Sequence, residues 1–239
     1  IVEATSGNTG IAFSMLAASR KYKMIVVMPS DMCRERREMI QAFGAEIVNV
    51  GPGDFAGAVK KRDELVRQLN AYCPRQFSNP DNNECHKKTT AQEIIQQVEH
   101  LNLSKKISAF VAGTGTGATL MGLREGLIET YPELQAIAVE PSESAVMSGK
   151  KPGPHAIQGI GDGFIPDLVN MNFVNEVVTI STQEAAARTQ KLSRTHGIFA
   201  GISSGANVLA AERYIDKHKP EGLVITVLPD RQERYMSMM

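Results

Sequence analysis

Residues 5–10 combine side chains and backbone groups that are suited to binding an anion. Their sequence, Thr-Ser-Gly-Asn-Thr-Gly, follows a short apolar run at residues 1–4 and precedes an apolar-periodic segment that ends at Arg20. Such a strand-to-helix turn exposes several N–H and hydroxyl groups, and a helix N-terminus adds partial positive charge, so the turn is suited to a carboxylate. The same residue types are also typical of an ordinary capped turn, and both interpretations stay open on this stretch alone.

A second glycine-rich turn, residues 113–119, is suited to binding a phosphate group. Its sequence, Gly-Thr-Gly-Thr-Gly-Ala-Thr, follows an apolar run and opens a helical pattern. Glycines let the backbone approach an anion closely, and the threonines add hydroxyl donors. No Gly-Lys-Ser/Thr follows, and the dinucleotide fingerprint is not met, since Ala118 follows Gly115 and Leu120 follows Gly117 by three residues. The alternative is a loop that only packs a strand tightly against a helix.

A third polar turn, Gly-Ile-Ser-Ser-Gly-Ala-Asn at residues 201–207, also leads into a predicted helix. Its spacing alone favours simple N-capping by Ser203 or Ser204. Three polar turns at strand-to-helix junctions nevertheless fit an α/β protein, in which ligands gather at the carboxyl ends of parallel strands.

Short β-branched apolar runs alternate with longer amphipathic segments, which indicates parallel strands joined by helical crossovers. Strands are predicted at residues 1–4, 23–28, 46–50, 107–112, 136–140, 177–180 and 223–228, and helices at 10–20, 34–43, 55–72, 87–100, 183–195 and 205–217, with one more ending at 129. The rhythm breaks near residues 76–80, so we expect a smaller domain at 1–80 and a larger one at 81–239. The irregular stretch 141–175 is too long for a simple connection, and such loops are often functional.

Composition restricts the class of protein. The 26 basic and 26 acidic residues of the 239-residue chain cancel, which does not favour nucleic-acid or membrane-surface partners. No apolar stretch approaches the roughly 20 residues that a transmembrane helix needs. Three cysteines without metal-ligand spacing predict neither a metal site nor a disulfide framework. We therefore expect a cytoplasmic globular protein. Because Ile1 already lies in a predicted strand, we also expect the natural N-terminus to be absent.

Further motifs accompany the three turns in a fixed order. They include Gln-Phe-Ser-Asn-Pro at 76–80, the Pro- and Gly-rich residues 154–166, Leu-Pro-Asp at 228–230 and Glu-Arg-Tyr at 233–235. Together these motifs resemble, over the whole chain, the cysteine synthase (O-acetylserine sulfhydrylase) and cystathionine β-synthase family. These are pyridoxal-phosphate enzymes of the tryptophan-synthase-β fold (type II). The resemblance implies two parallel-sheet, three-layer α/β domains with the cofactor cleft between them, and a homodimer. It also implies that the N-terminal part of the fold is missing from this chain.

The resemblance assigns roles to individual residues. It implies that the substrate is bound by Thr5, Ser6, Thr9, Gln76 and Gly159, the first four through its carboxylate. The cofactor's ring hydroxyl is assigned to Asn8 and its pyridine nitrogen to Ser203. The cofactor's phosphate is assigned to Gly115, Thr116, Gly117, Ala118 and Thr119. Ala118 replaces a usual glycine; an alanine suffices there if the position needs only an N–H, but not if it needs a positive φ.

The implied chemistry is β-replacement or β-elimination on a small amino acid. A neutral partner such as Ser203 does not hold the pyridine nitrogen protonated, which favours this chemistry over transamination. A β-substituent leaves, and a nucleophile, typically sulfide or a thiol, adds to the same carbon. Cystathionine-forming, cysteine-degrading and serine-dehydrating relatives share the scaffold, and a non-catalytic binding relative is a further alternative.

Two departures from the family pattern concern catalysis. Family members carry the Schiff-base lysine in a Ser-x-Lys-Asp-Arg-like stretch before the segment matching residues 5–10, and only four residues precede that segment here. Lysine serves as covalent anchor and acid–base group, so we expect it in a missing N-terminal segment.

The second departure is Asp162, which occupies a position usually held by alanine in the active-site loop. A carboxylate there could act as general base toward water or a thiol and favour release of sulfide from cysteine. The alternative is a solvent-facing aspartate with a local backbone bond.

Overall fold

The computed structural model describes residues 1–5, 7–102 and 106–238, without the side chain of Met238. The chain divides into two compact units. The first unit consists of Ile1–Gln76 and the C-terminal residues from Asp230 onward, and the second consists of Phe77–Pro229. This division differs from the expected ranges 1–80 and 81–239 because the last residues return to the first unit.

The first unit is built on a three-stranded parallel sheet in the order β1-β2-β3. Val2 of β1 pairs with Ile25 of β2 and Ile25 with Glu46 of β3. Apolar side chains on both faces of the sheet are buried, one set with Ile11 and Ile40 and the other with Ala58, as expected for a parallel sheet between helical layers. The elements are β1 Val2–Ala4, α1 Asn8–Arg20, β2 Ile25–Pro29, α2 Arg34–Ala42, β3 Glu46–Val50 and α3 Phe55–Leu69.

The second unit is built on a four-stranded parallel sheet in the order β6-β5-β4-β7. One core cluster joins Phe110 of β4 to Leu120 and Leu123, and another joins Val111 of the same strand to Ala206 and Ala210. The elements are α4 Asp81–Lys88, α5 Thr90–His100, β4 Ile107–Gly113, α6 Ala118–Leu127, β5 Gln135–Pro141, β6 Glu176–Ile180, α7 Thr182–His196, α8 Ile202–His218 and β7 Leu223–Thr226.

The parallel α/β architecture predicted from the sequence is confirmed, with differences at several helix ends. The helix predicted over residues 87–100 is α5, but it begins at Thr90, because two helices meet at Thr89, whose hydroxyl donates to the carbonyl of Cys85 at 2.7 Å. Such side-chain bonding competes with helix continuation. The helix predicted to reach residue 72 ends at Leu69, since Asn70 adopts a left-handed conformation with φ 47°.

The C-terminal segment leaves β7, and residues Gln232–Met238 form a 3₁₀ helix that packs against α2 in the first unit. None of the helices in the described ranges is both long and apolar enough to cross a membrane. The described residues also contain no cluster of metal-ligating side chains.

Candidate functional site

The turn at residues 5–10 forms the junction between β1 and α1. Thr5 is buried and its backbone N–H donates to the carbonyl of Val27 on the neighbouring strand at 3.0 Å. Gly7 is the N-cap of α1, and among the described residues no side chain caps the helix there. A helix N-terminus that no described side chain caps is suited to an anion. Ser6 lies outside the described residues.

Gln76 is held against the end of β1 by a buried glutamate. The Glu3 carboxylate accepts from the N–H of Gln76 at 3.0 Å and from the N–H of Ala4 at 2.8 Å, and Arg62 donates to it at 3.4 Å. The Gln76 side-chain amide donates to the carbonyl of Ala4 at 2.6 Å. Gln76 is thus brought beside Thr5, although 71 positions separate them in the numbering (76 − 5). Burial raises the pKa of Glu3, against the hydrogen bonds it accepts.

Asn8, the first residue of α1, contacts the C-terminal segment. Its Nδ2 donates to Asp230 Oδ2 at 2.9 Å, and Arg234 donates to its Oδ1. Asp230 and Tyr235 are buried, and burial raises the pKa of the Tyr235 hydroxyl. The family resemblance described above included this segment among its motifs but assigned no role to its residues.

The second turn forms a backbone cradle at the junction of β4 and α6. Gly117 has φ +82°, a left-handed conformation that favours glycine. A Cβ on Gly115 would lie 2.3 Å from the carbonyl oxygen of Gly159, so only glycine fits there without movement. Ala118 is the first residue of α6 and is not among the residues with positive φ. An alanine therefore satisfies the backbone at this position, and its N–H lies 3.3 Å from Thr116 Oγ1.

A half-buried histidine lies behind this cradle. His86 Nε2 lies 3.2 Å from Thr119 Oγ1, and His86 Nδ1 lies 3.0 Å from Thr90 Oγ1. Burial lowers the pKa of His86 and so favours the neutral ring. The sequence shows no signal for this residue, because it lies 33 positions from Thr119 in a polar helix.

The loop at residues 158–166 is anchored to the same cradle. The N–H of Gly161 donates to the carbonyl of Thr114 at 3.1 Å. Gly161 and Gly163, with φ of +72° and +86°, flank the half-buried Asp162. Asp162 therefore follows directly on a residue bonded to the cradle, and it is not a fully exposed loop side chain.

The third turn begins α8 without a side-chain cap. Gly201 is the N-cap, so the predicted capping by Ser203 or Ser204 is wrong. Asn207 Oδ1 accepts from the N–H of Gly113 at 2.7 Å and ties α8 to the end of β4. Ser203, one helical turn earlier, lies on the same side of α8 as Asn207. Ser203 is buried in the first turn of α8, on the face that Asn207 ties to β4.

Two buried hydroxyls in these turns have no hydrogen-bond partner in the described part of the chain: Thr114 Oγ1 and Ser204 Oγ. Buried hydroxyls are normally paired, so they are suited to a polar ligand or water. With the backbone cradle, this arrangement in the second unit fits the phosphate and ring of pyridoxal phosphate.

Comparison with known proteins agrees with this geometry. The family model described as pyridoxal-phosphate dependent enzyme matches residues 1–230. A cysteine synthase of Staphylococcus aureus is 44% identical over 242 aligned residues, covering 99% of this chain and 76% of that protein. A solved hydrogen sulfide-producing enzyme of Fusobacterium nucleatum is 40% identical with a TM-score of 0.92, covering 99% of this chain and 71% of that one.

A solved O-acetylserine-dependent cystathionine β-synthase of Helicobacter pylori is 38% identical with a TM-score of 0.91, covering 99% of this chain and 76% of that one. The predicted fold class and cofactor are both confirmed. The chain therefore belongs to the family of pyridoxal-phosphate-dependent enzymes that includes the cysteine synthases.

Proposed function

We propose that this enzyme carries out β-replacement or β-elimination on a small amino acid in cysteine and sulfide metabolism. The observation that carries the proposal is the backbone cradle at residues 115–119, which fits the cofactor's phosphate, in a chain 44% identical to a cysteine synthase. The names of relatives support cysteine synthesis, sulfide production and cystathionine formation as the related activities.

The second unit would hold the cofactor through the cradle and through Ser203. Bound pyridoxal phosphate withdraws electrons from the amino acid's α-carbon, so that the β-substituent can leave. Backbone N–H groups at the start of α6 and the hydroxyls of Thr116 and Thr119 would donate to the phosphate. Ser203, a neutral side chain, would face the pyridine nitrogen without fixing a proton on it.

The first unit would hold the substrate's carboxylate at the start of α1. Thr5, Ser6 and Thr9 would supply N–H and hydroxyl donors, and Gln76 is already fixed beside Thr5 by Glu3. Asn8 would donate to the cofactor's ring oxygen. A carboxylate gains most at such a position because the uncapped helix N-terminus carries partial positive charge.

Asp162 would act as a general base. Its carboxylate would take a proton from water or a thiol while the oxygen or sulfur bonds to the β-carbon. Gly159 would contribute to substrate binding from the same loop. The loop is held in place by the N–H of Gly161, which donates to the carbonyl of Thr114 at 3.1 Å. With water as nucleophile, cysteine would give sulfide and serine.

Substrate assays on the full-length gene product test the reaction. We expect turnover with O-acetylserine and sulfide and release of sulfide from cysteine. Dominant formation of cystathionine or of a keto acid from serine would favour the cystathionine-forming or serine-dehydrating alternative. Cofactor binding without any of these reactions would indicate a non-catalytic relative.

A substitution tests Asp162 separately. Sulfide is an anionic nucleophile and needs no base, whereas water does. We therefore expect Asp162→Asn to lower serine formation from cysteine by about 10²-fold or more while cysteine formation from O-acetylserine and sulfide changes much less. Asp167→Asn, an exposed aspartate near the same loop, serves as control. An equal loss in serine formation and in cysteine formation, or no loss in either, would exclude the role of general base.

We also propose a cytoplasmic homodimer acting on free amino acids and sulfide or a thiol, which is supported by the family alone. Sedimentation equilibrium of the purified protein tests the oligomeric state, and a monomer would contradict it.

A further inference from the structure

The orientation of the Asn8 amide is set by two charged neighbours on the C-terminal segment. Arg234 donates to Oδ1, and Asp230 accepts from Nδ2 at 2.9 Å. A guanidinium can only donate, and an ionised carboxylate can only accept. A flipped amide would therefore face a donor with its N–H groups and an acceptor with its oxygen. Only one of the two flip states of Asn8 satisfies both neighbours.

The carboxylate of Asp230 is itself fixed by buried groups. Its Oδ2 also accepts from the Tyr235 hydroxyl and lies 3.6 Å from Arg36 Nη2, while its Oδ1 has no partner among the described residues. The side chains of Arg36 and Asp230 are almost wholly buried. Arg36 also donates to the Tyr235 hydroxyl. Since burial raises the pKa of Tyr235, its hydroxyl stays protonated and donates to Asp230.

The 3₁₀ helix that carries Arg234 is bound to the start of α2 at this residue and at Ser237. The Cys33 thiol donates to the carbonyl of Arg234 at 3.1 Å. The Glu35 carboxylate accepts from the N–H of Ser237 at 2.6 Å and from its hydroxyl at 2.7 Å. The segment is thus fixed at its contact with α1 by backbone and side-chain bonds.

The remaining hydrogen-bonding capacity of Asn8 follows from this arrangement. The amide nitrogen carries two hydrogens, and one is used by Asp230. Among the described residues the second hydrogen has no acceptor, so it can serve a ligand, and the Arg234 cation on the oxygen polarises the amide so that this hydrogen becomes a stronger donor. A ligand oxygen next to Asn8 is therefore favoured when it is an acceptor, above all when it is ionised.

We infer that Asp230, Arg234 and Tyr235 are positioning residues that lock the Asn8 amide with an N–H toward the ring oxygen of pyridoxal phosphate and so stabilise the ionised form of that oxygen. This inference rests on the proposed function, in which Asn8 meets the cofactor's ring oxygen. In this inference the C-terminal segment contributes to cofactor binding indirectly, by orienting Asn8.

A double-mutant cycle tests whether Arg234 acts through Asn8. Arg234→Gln replaces a pure donor with a group that can donate or accept, so only Asp230 still selects one state of the amide. We expect the dissociation constant of pyridoxal phosphate to rise about tenfold, equivalent to about 1.4 kcal/mol. We also expect the apparent pKa of the bound ring hydroxyl, followed by absorbance against pH, to rise. In an Asn8→Ala background, Arg234→Gln should add nothing to either quantity.

Two further readouts separate this role from simple stabilisation. The side-chain NH₂ of Asn8 is selectively labelled with ¹⁵N. In the ligand-free protein, the hydrogen bonded to Asp230 should be protected from solvent exchange and should lose part of that protection in Arg234→Gln. Arg231→Gln alters an exposed residue of the same segment, paired with Glu233, and should change none of these quantities. If Arg234→Gln does not fold, Tyr235→Phe takes its place, since it keeps Arg234 and Asp230. It should weaken the affinity for pyridoxal phosphate by about threefold and raise the apparent pKa of the ring hydroxyl.

The outcomes are distinguishable. An effect of Arg234→Gln that is equally large without Asn8, or unchanged Asn8 signals, would overturn the inference while leaving the proposed function intact. Failure of the unsubstituted protein to bind pyridoxal phosphate would overturn the proposed function, and the inference with it.

Discussion

The glycine at position 115 provides a quantitative test of the cradle, because its contact partner is backbone. A Cβ added there would lie 2.3 Å from the carbonyl oxygen of Gly159, whereas carbon–oxygen contacts stay at about 3.3 Å or more. In Gly115→Ala the two backbone segments must therefore separate by about 1 Å. Overpacking of this kind costs about 1–3 kcal/mol, and loss of the Gly161–Thr114 hydrogen bond adds about 1 kcal/mol.

We therefore expect Gly115→Ala to lower the free energy of unfolding by about 2–4 kcal/mol in urea titrations. Because the cradle opens, the affinity for pyridoxal phosphate and for inorganic phosphate should fall as well. Gly51→Ala is the matched control, since a Cβ there meets only Asp54 at an ordinary 3.8 Å. Unchanged phosphate affinity, with a stability loss no larger than in the control, would refute the steric argument.

Two other buried groups give predictions that concern positioning and pH. Glu3→Gln places an NH₂ group opposite either the N–H of Gln76 or the two donors on the other oxygen, Ala4 N–H and Arg62. The unfolding free energy should therefore fall by about 3–5 kcal/mol, with a raised KM for the amino acid if Gln76 binds its carboxylate. An unchanged denaturation midpoint would contradict this. His86 has a lowered pKa in the folded state, so the unfolded state binds more protons and stability falls as the pH drops below 6.5. In His86→Gln an amide remains as hydrogen-bond partner for Thr119. Unfolding curves between pH 7 and 5 should then show a smaller dependence of the unfolding free energy on pH, and an identical dependence would refute the prediction.

The sheets and the backbone cradle could be predicted from the sequence because their signals are local. Strand–helix alternation determines the parallel sheets, and the glycine pattern at residues 113–119 reflects the left-handed Gly117 and the close approach at Gly115. The predicted strand at residues 46–50 agrees in its bounds with β3 for the same reason.

Local patterns failed at the starts of two helices. The residue types of Ser203 and Ser204 are typical N-caps, yet α8 starts at Ile202 after Gly201. This start leaves both serines inside the first turn of the helix, where they are buried. The break at Thr89 depends on a hydroxyl bonding back to Cys85, which the amphipathic pattern of residues 87–100 does not reveal.

The groups that the sequence did not reveal share a physical feature: each acts on a candidate site residue across a long stretch of chain. Glu3 acts on Gln76, His86 on Thr119, and Asp230 and Arg234 on Asn8. Motifs identify ligand-contacting residues by type and spacing, whereas the partners that orient them become recognisable only when folding brings them together.

The chemistry of Asp230 and Arg234 explains why both of these partners of Asn8 carry charge. An amide presents a donor and an acceptor of nearly equal shape, so a neutral partner that can do both leaves two orientations close in energy. A carboxylate accepts only and a guanidinium donates only, so each excludes one orientation. Asp230 and Arg234 exclude the same orientation of Asn8 from opposite sides of the amide. Burial makes this exclusion stronger, because an unmatched donor or acceptor costs more in a low-dielectric environment. The charges near Asn8 thus fix the orientation of its amide. For this reason, replacing Arg234 by a residue that can both donate and accept should change ligand binding through Asn8.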